Sequence, residues 1–74
     1  MSSNEEIVIS VLKAENCIDE ASMISPADLA VKCAEKGLAN ATEIEAAVVG
    51  LIDQDIIEYE LNEDGLQTIG VWLL

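Results

Sequence analysis

The sequence predicts an α+β domain: three helices plus a C-terminal β-hairpin. Two patterns carry this expectation. Apolar residues recur at helical spacing in three separate stretches, each opened by residues suited to helix capping. Then, from Asp55 onward, the period shortens to two across DIIEYEL and LQTIGVWL, with Asn62-Glu63-Asp64-Gly65 between them. A third observation makes a folded core feasible. Hydrophobic residues are 51% of the chain, enough to oppose the disorder that a formal charge of −12 would otherwise favour. The 74 residues read as one domain, 1–74, near the lower size limit for a self-sufficient core.

In the first helix Ser3 is expected to cap, with Glu6 completing a capping box. Ile7, Val11 and Ala14 form a stripe with Val8 and Leu12 beside it, Ile9 lies on the far side, and the helix frays near Asn16. A polar connector, ENCIDEAS, follows. Ser25 caps the second helix, Pro26 takes its first position, and Asp28 favours the positive end of the dipole. Leu29, Ala30, Cys33 and Ala34 face inward, Lys32 and Lys36 sit late, and Gly37 ends the helix. Leu38 to Ala41 is the turn to the third helix, with Leu38 plugging the corner. That helix is capped by Thr42 with Glu45, or equally well by Asn40 with Glu43. Its core stripe is Ile44, Val48, Leu51 and Ile52, and Asp55 is placed where the chain leaves through a left-handed residue.

The hairpin turn suits a type I turn with Gly65 left-handed. This register sets Asn62 opposite Leu66, Tyr59 opposite Ile69 and Ile57 opposite Val71. The core face is then Ile57, Tyr59, Leu61, Ile69, Val71 and Leu73. The outer face is Ile56, Glu58, Glu60, Thr68, Gly70 and Trp72.

The stretch VVGLIDQDIIEYE, a third helix running into the first strand of a hairpin, resembles the winged-helix superfamily. The resemblance covers most of the chain at the level of fold. It implies the order α-(β)-α-α-β-β, with a short strand at Met23-Ile24 pairing with the hairpin and a helix-turn-helix made by the second and third helices. It also implies a third helix and a wing that meet nucleic acid.

The charge opposes that last implication. A sequence-specific binder neutralises on the order of 6–10 phosphates with Lys and Arg. This chain has fifteen acids against three cations, Lys13, Lys32 and Lys36, and neither Arg nor His. The third helix and hairpin instead offer Glu43, Glu45, Asp53, Glu58, Glu60, Glu63 and Asp64, expected to form an acidic partner-binding face. Direct nucleic-acid binding is not expected, nor is attraction to anionic lipid. Leftover apolar residues suggest a second contact area: Ala46, Val49, Gly50, Ile56 and Trp72. Trp72 either anchors an interface or folds back over the first helix with Leu74 beside it. Gly50 is either a tolerated glycine, at roughly 1 kcal/mol relative to Ala, or a point of close approach by another backbone.

These features suggest a non-catalytic protein-interaction module whose partner is another protein with a basic surface, or a second copy in a homodimer. One alternative is a nucleic-acid-mimicking inhibitor of a DNA- or RNA-binding protein, of the phage-encoded kind, with carboxylates spaced like phosphates. Another is a transcriptional regulator that reaches DNA only with a basic partner. An enzyme is not expected, because Ser10, Ser22, Ser25 and Thr42 have no general base arranged beside them. No cofactor or metal is expected: an Asp53-Gln54-Asp55 calcium loop fails at Ile57 and Glu58, and His is absent. The acidic start MSSNEE is not a secretory signal, and no apolar run is long enough to span a membrane. Cys17 and Cys33 read as free thiols of a cytoplasmic protein, Cys33 as a small core residue.

Overall fold

Helix α1 spans Ser3–Ala14, α2 Pro26–Glu35 and α3 Ala41–Asp53; strands β1, Ile57–Leu61, and β2, Thr68–Leu73, form an antiparallel hairpin. The computed structural model describes residues 2–74, which form a body of 32 × 22 × 22 Å. A single 3-10 turn, Glu20–Ser22, lies in the connector between α1 and α2.

Each helix starts where a side chain satisfies an orphan backbone N–H. For α1 that residue is Ser2, one position ahead of the expected Ser3. Its hydroxyl accepts from the Glu5 amide at 3.1 Å, and the Glu5 carboxylate accepts from the Ser2 amide at 2.9 Å. Ser25 caps α2 with Pro26 next, as expected. Of the two registers open for α3, Asn40 is used: its side-chain oxygen accepts from the Glu43 amide at 3.0 Å.

All three helices end alike. After α1, Asn16 takes φ 56° and donates to the Lys13 carbonyl, while Cys17 donates to the Leu12 carbonyl. After α2, Gly37 at φ 92° donates to Ala34 and Leu38 donates to Cys33. After α3, Asp55 at φ 59° donates to Ile52 and Ile56 donates to Leu51. Each is a Schellman motif, which satisfies terminal carbonyls and turns an apolar residue back onto the helix it has just left. Cys17 and Leu38 are buried by it, and Ile56 is partly buried.

Apart from Trp72, Cys17 and Cys33, the core is aliphatic. Val8, Val11 and Leu12 of α1 meet Leu29 and Cys33 of α2, Ala47 and Leu51 of α3, and Ile57 and Val71 of the hairpin. The α1 stripe is therefore rotated from the expected one: Ile7 is only partly buried and Ala14 is exposed. Ala34 is exposed as well, while Ala47 joins the core stripe of α3.

The hairpin register is shifted by two residues from the expectation. Ile57 pairs with Leu73, Glu58 with Trp72, Tyr59 with Val71 and Glu60 with Gly70, and a bulge then brings Leu61 opposite Thr68. The turn is one residue wider than expected. Gly65 is left-handed at φ 73° as expected, but Asn62 donates to Gln67 and Leu66 is left 82% exposed. Ile57 and Val71 are buried, whereas Tyr59, Leu61 and Ile69, expected in the core, project beyond it and are exposed.

β2 is paired on both edges. Opposite β1, Ile24 and Val71 exchange two 3.0 Å backbone bonds, and the Leu73 amide donates to the Cys17 carbonyl at 2.8 Å. The pairing expected at Met23-Ile24 is thus a single bridge. It holds the connector along the outer edge of β2, with Met23 against Gly70.

Candidate functional site

The residues expected to form one acidic face are divided among several. Glu43 and Glu45 are two apart on α3 and so about 200° apart around it. Glu43 borders α1 beside Asn4, Glu5 and Ala46, whereas Glu45 borders a groove toward α2 and the hairpin. Glu58 and Glu60 pair with Trp72 and Gly70 on the other face of the sheet and are partly buried, while Glu63 and Asp64 are exposed at the turn. Asp53 is exposed at the C-terminal end of α3.

The expected apolar patch disperses too. Trp72 is only 9% exposed and belongs to the core, so it is not an exposed anchor. Its neighbour across the sheet is Glu58, not Ile56. Ile56 is partly buried against the core, where its carbonyl accepts from the Leu74 amide at 3.0 Å. Gly50 accommodates a side chain of this same chain: a methyl there would run into the Glu5 carboxylate. That carboxylate also accepts from the Gln54 amide group at 3.0 Å, which in turn donates to the Gly50 carbonyl at 2.9 Å. The approaching group is the tip of the Glu5 side chain and not another backbone, and a flexible side chain can turn aside, so the contact does not demand glycine. Ala46 is exposed on that same side, and Val49 alone remains outward and half exposed at 51%.

Val49 opens into a groove of about 470 Å³. One wall is α2, with Pro26, Leu29 and Ala30; another is α3, with Ile44, Val48, Val49 and Ile52. The hairpin closes the third side with Gln67, Thr68 and Val71. Glu45 is the one charged residue in the lining. The sequence marked Val49 and Glu45 but not the groove, whose walls come from stretches some forty positions apart and are joined only by folding.

The cations lie elsewhere. Lys32 and Lys36 border a shallow depression with Val11, Ala14, Glu15 and Glu35, where α1 and α2 end, and Lys13 occupies the last turn of α1.

Neither cysteine is a prepared nucleophile. Burial raises the Cys33 thiol above its ordinary range, and burial together with the nearby Glu15 charge raises Cys17. Among the described residues no three His, Cys, Asp or Glu side chains gather where they could hold a metal ion, and no helix is long and apolar enough to cross a membrane.

No protein-family model, curated protein or solved structure matches this chain.

Proposed function

We propose that this chain is a non-catalytic protein-interaction module on a winged-helix-like scaffold, working in the cytoplasm on a basic protein partner. One observation supports this reading above the others. An apolar groove lies between α2, α3 and the hairpin, lined by Glu45 and by no cation, in a molecule of charge −12. On a scaffold of this kind, the third helix and wing would meet phosphates. Here they carry no Lys or Arg, so the field around them repels a phosphate backbone and attracts basic proteins.

The nucleic-acid-mimic reading has less support. A mimic needs its carboxylates on one connected face, and Glu43, Glu45 and the Glu58–Glu60 pair point to different sides. A regulator that reaches DNA through a basic partner would still use the interaction module described here.

Two measurements test the reading. The purified protein should not retard duplex DNA at about 0.15 M salt, where non-specific binders still engage phosphates. Tight retardation overturns it. A partner captured from a native extract should stay bound as salt rises, because apolar docking is not screened. A partner shed steeply with salt would favour the mimic.

A further inference from the structure

Resting on that interaction-module reading, we infer that the groove between α2, α3 and the hairpin is the docking site for an amphipathic helix of a partner protein. Its apolar side enters the groove and its flanks carry Lys or Arg. The form of the groove suits a helix. Val49 is 51% exposed, and Ala41, Gln67 and Thr68 in the lining are exposed too, so the groove is open along its length. An added strand at the groove would have to pair with β2, the strand that lines it. The outer edge of β2 is taken at Val71 by Ile24 and at Leu73 by Cys17. Two walls of the groove are themselves helices, and a third helix packs on such a surface through residues spaced i, i+3 or i+4, and i+7.

Charge selects the partner. A second copy of this chain would bring another −12 to a site already bordered by Glu45, with no cation in the lining to compensate. The lysines gather where α1 and α2 end, in a separate depression. A helix with cationic flanks is therefore steered toward the molecule by its field and held in the groove by apolar burial.

The test uses a synthetic helical peptide of about 18 residues, built from Leu and Lys with Leu at i, i+3, i+4 and i+7, the spacing of groove-bound helices. A scrambled peptide of identical composition is its control. Two variants separate shape from charge. Val49→Glu places a carboxylate in the groove. Val31→Glu places one on α2 outside the groove, at a residue 60% exposed. Both add the same charge, and a melting curve confirms that each remains folded.

The amphipathic peptide should bind at least about tenfold more tightly than the scrambled one, by fluorescence anisotropy at 0.15 M salt. Val49→Glu should weaken that binding about tenfold relative to Val31→Glu, equivalent to ~1.4 kcal/mol. Purely electrostatic attraction predicts the opposite: both variants would bind the peptide unchanged or slightly better. Equal binding of both peptides, with neither variant weakened, overturns the groove assignment but leaves the acidic interaction module standing. Binding of neither peptide overturns the helix as occupant, while the DNA-retardation assay separately decides the reading beneath it. Self-association of the wild type abolished by Val49→Glu overturns it in favour of a second copy.

Discussion

Trp72 shows how a neighbour can reverse the meaning of a side chain. On an uncovered hairpin, its position on the face opposite Ile57 and Val71 would leave a large ring in solvent. Ile24 bridges Val71 at the edge of β2, Met23 of the same connector lies against Gly70 on that face, and the ring is only 9% exposed. Truncating a buried Trp to Ala costs ~3–5 kcal/mol, a large part of the stability of a small domain. Trp72→Ala should therefore lower the urea midpoint sharply or unfold the protein outright, before any partner is involved. A loss below about 0.5 kcal/mol, the range of surface substitutions, would put the ring at the surface after all. Gly70 lies on the same face, and a methyl added there would collide with Met23. Overpacking of that kind costs ~1–3 kcal/mol, so Gly70→Ala should destabilise in the same urea titration.

The helix ends follow a single device used three times, and its cost differs with the residue in the left-handed position. Gly37 adopts φ 92° freely, whereas Asn16 and Asp55 hold φ 56° and 59° against the steric preference of L-residues, a penalty of roughly 1–2 kcal/mol that short polar side chains reduce. Asp55→Gly should raise stability by up to about 1 kcal/mol, and Asp55→Ala should not, because alanine keeps the penalty without a polar side chain. A loss on Asp55→Gly in chemical denaturation would show that the carboxylate stabilises this turn by more than the strain costs. Such punctuation was legible from sequence: Ser25-Pro26, Gly37, Asp55 and Gly65 all act where their chemistry placed them. The hairpin register was not, because alternation has period two and a shift of two keeps side chains on their faces up to the bulge, beyond which Thr68 comes opposite Leu61 instead of lying on the outer face. What distinguishes the registers is the bulge at Glu60/Leu61 and the bond from Asn62 to Gln67, neither of which alternation reports. The α1 stripe is ambiguous for a related reason: Ile7–Val11–Ala14 and Val8–Val11–Leu12 are both helical stripes, and only the packed neighbours choose between them. The candidate site was legible in composition but not in shape. Val49 and Glu45 could be singled out, while Pro26, Ile52 and Thr68 become its walls only when the chain closes.

Fifteen acids in a body 22–32 Å across make self-repulsion a property of the entire fold. At about 0.01 M salt the Debye length is ~30 Å, so nearly every carboxylate feels every other; at about 0.1 M it is ~10 Å, and only near neighbours interact. The unfolded chain spreads the same charges farther apart, so added salt relieves the folded state more. The melting temperature should therefore rise between about 0.01 and 0.2 M sodium chloride, a range chosen to follow the change in Debye length. A gain of ~1 kcal/mol would appear as a rise of ~4–8 °C in a domain this small. A midpoint that falls with salt would mean that attractive pairs around Lys13, Lys32 and Lys36 outweigh the repulsion, and the picture of a uniformly repulsive surface would have to be abandoned. The cysteines add a separate limit at alkaline pH. Burial raises both thiols in the folded state above the ordinary value of 9.0, so the unfolded chain releases those protons first. Their contribution is complete below that value and is lost as pH climbs through the raised folded pKa. The salt series and the peptide titration then separate two roles of one charge. Salt should stabilise the folded domain while slowing the encounter with a cationic helix, and a helix already seated in the groove should leave no faster, because its burial is apolar.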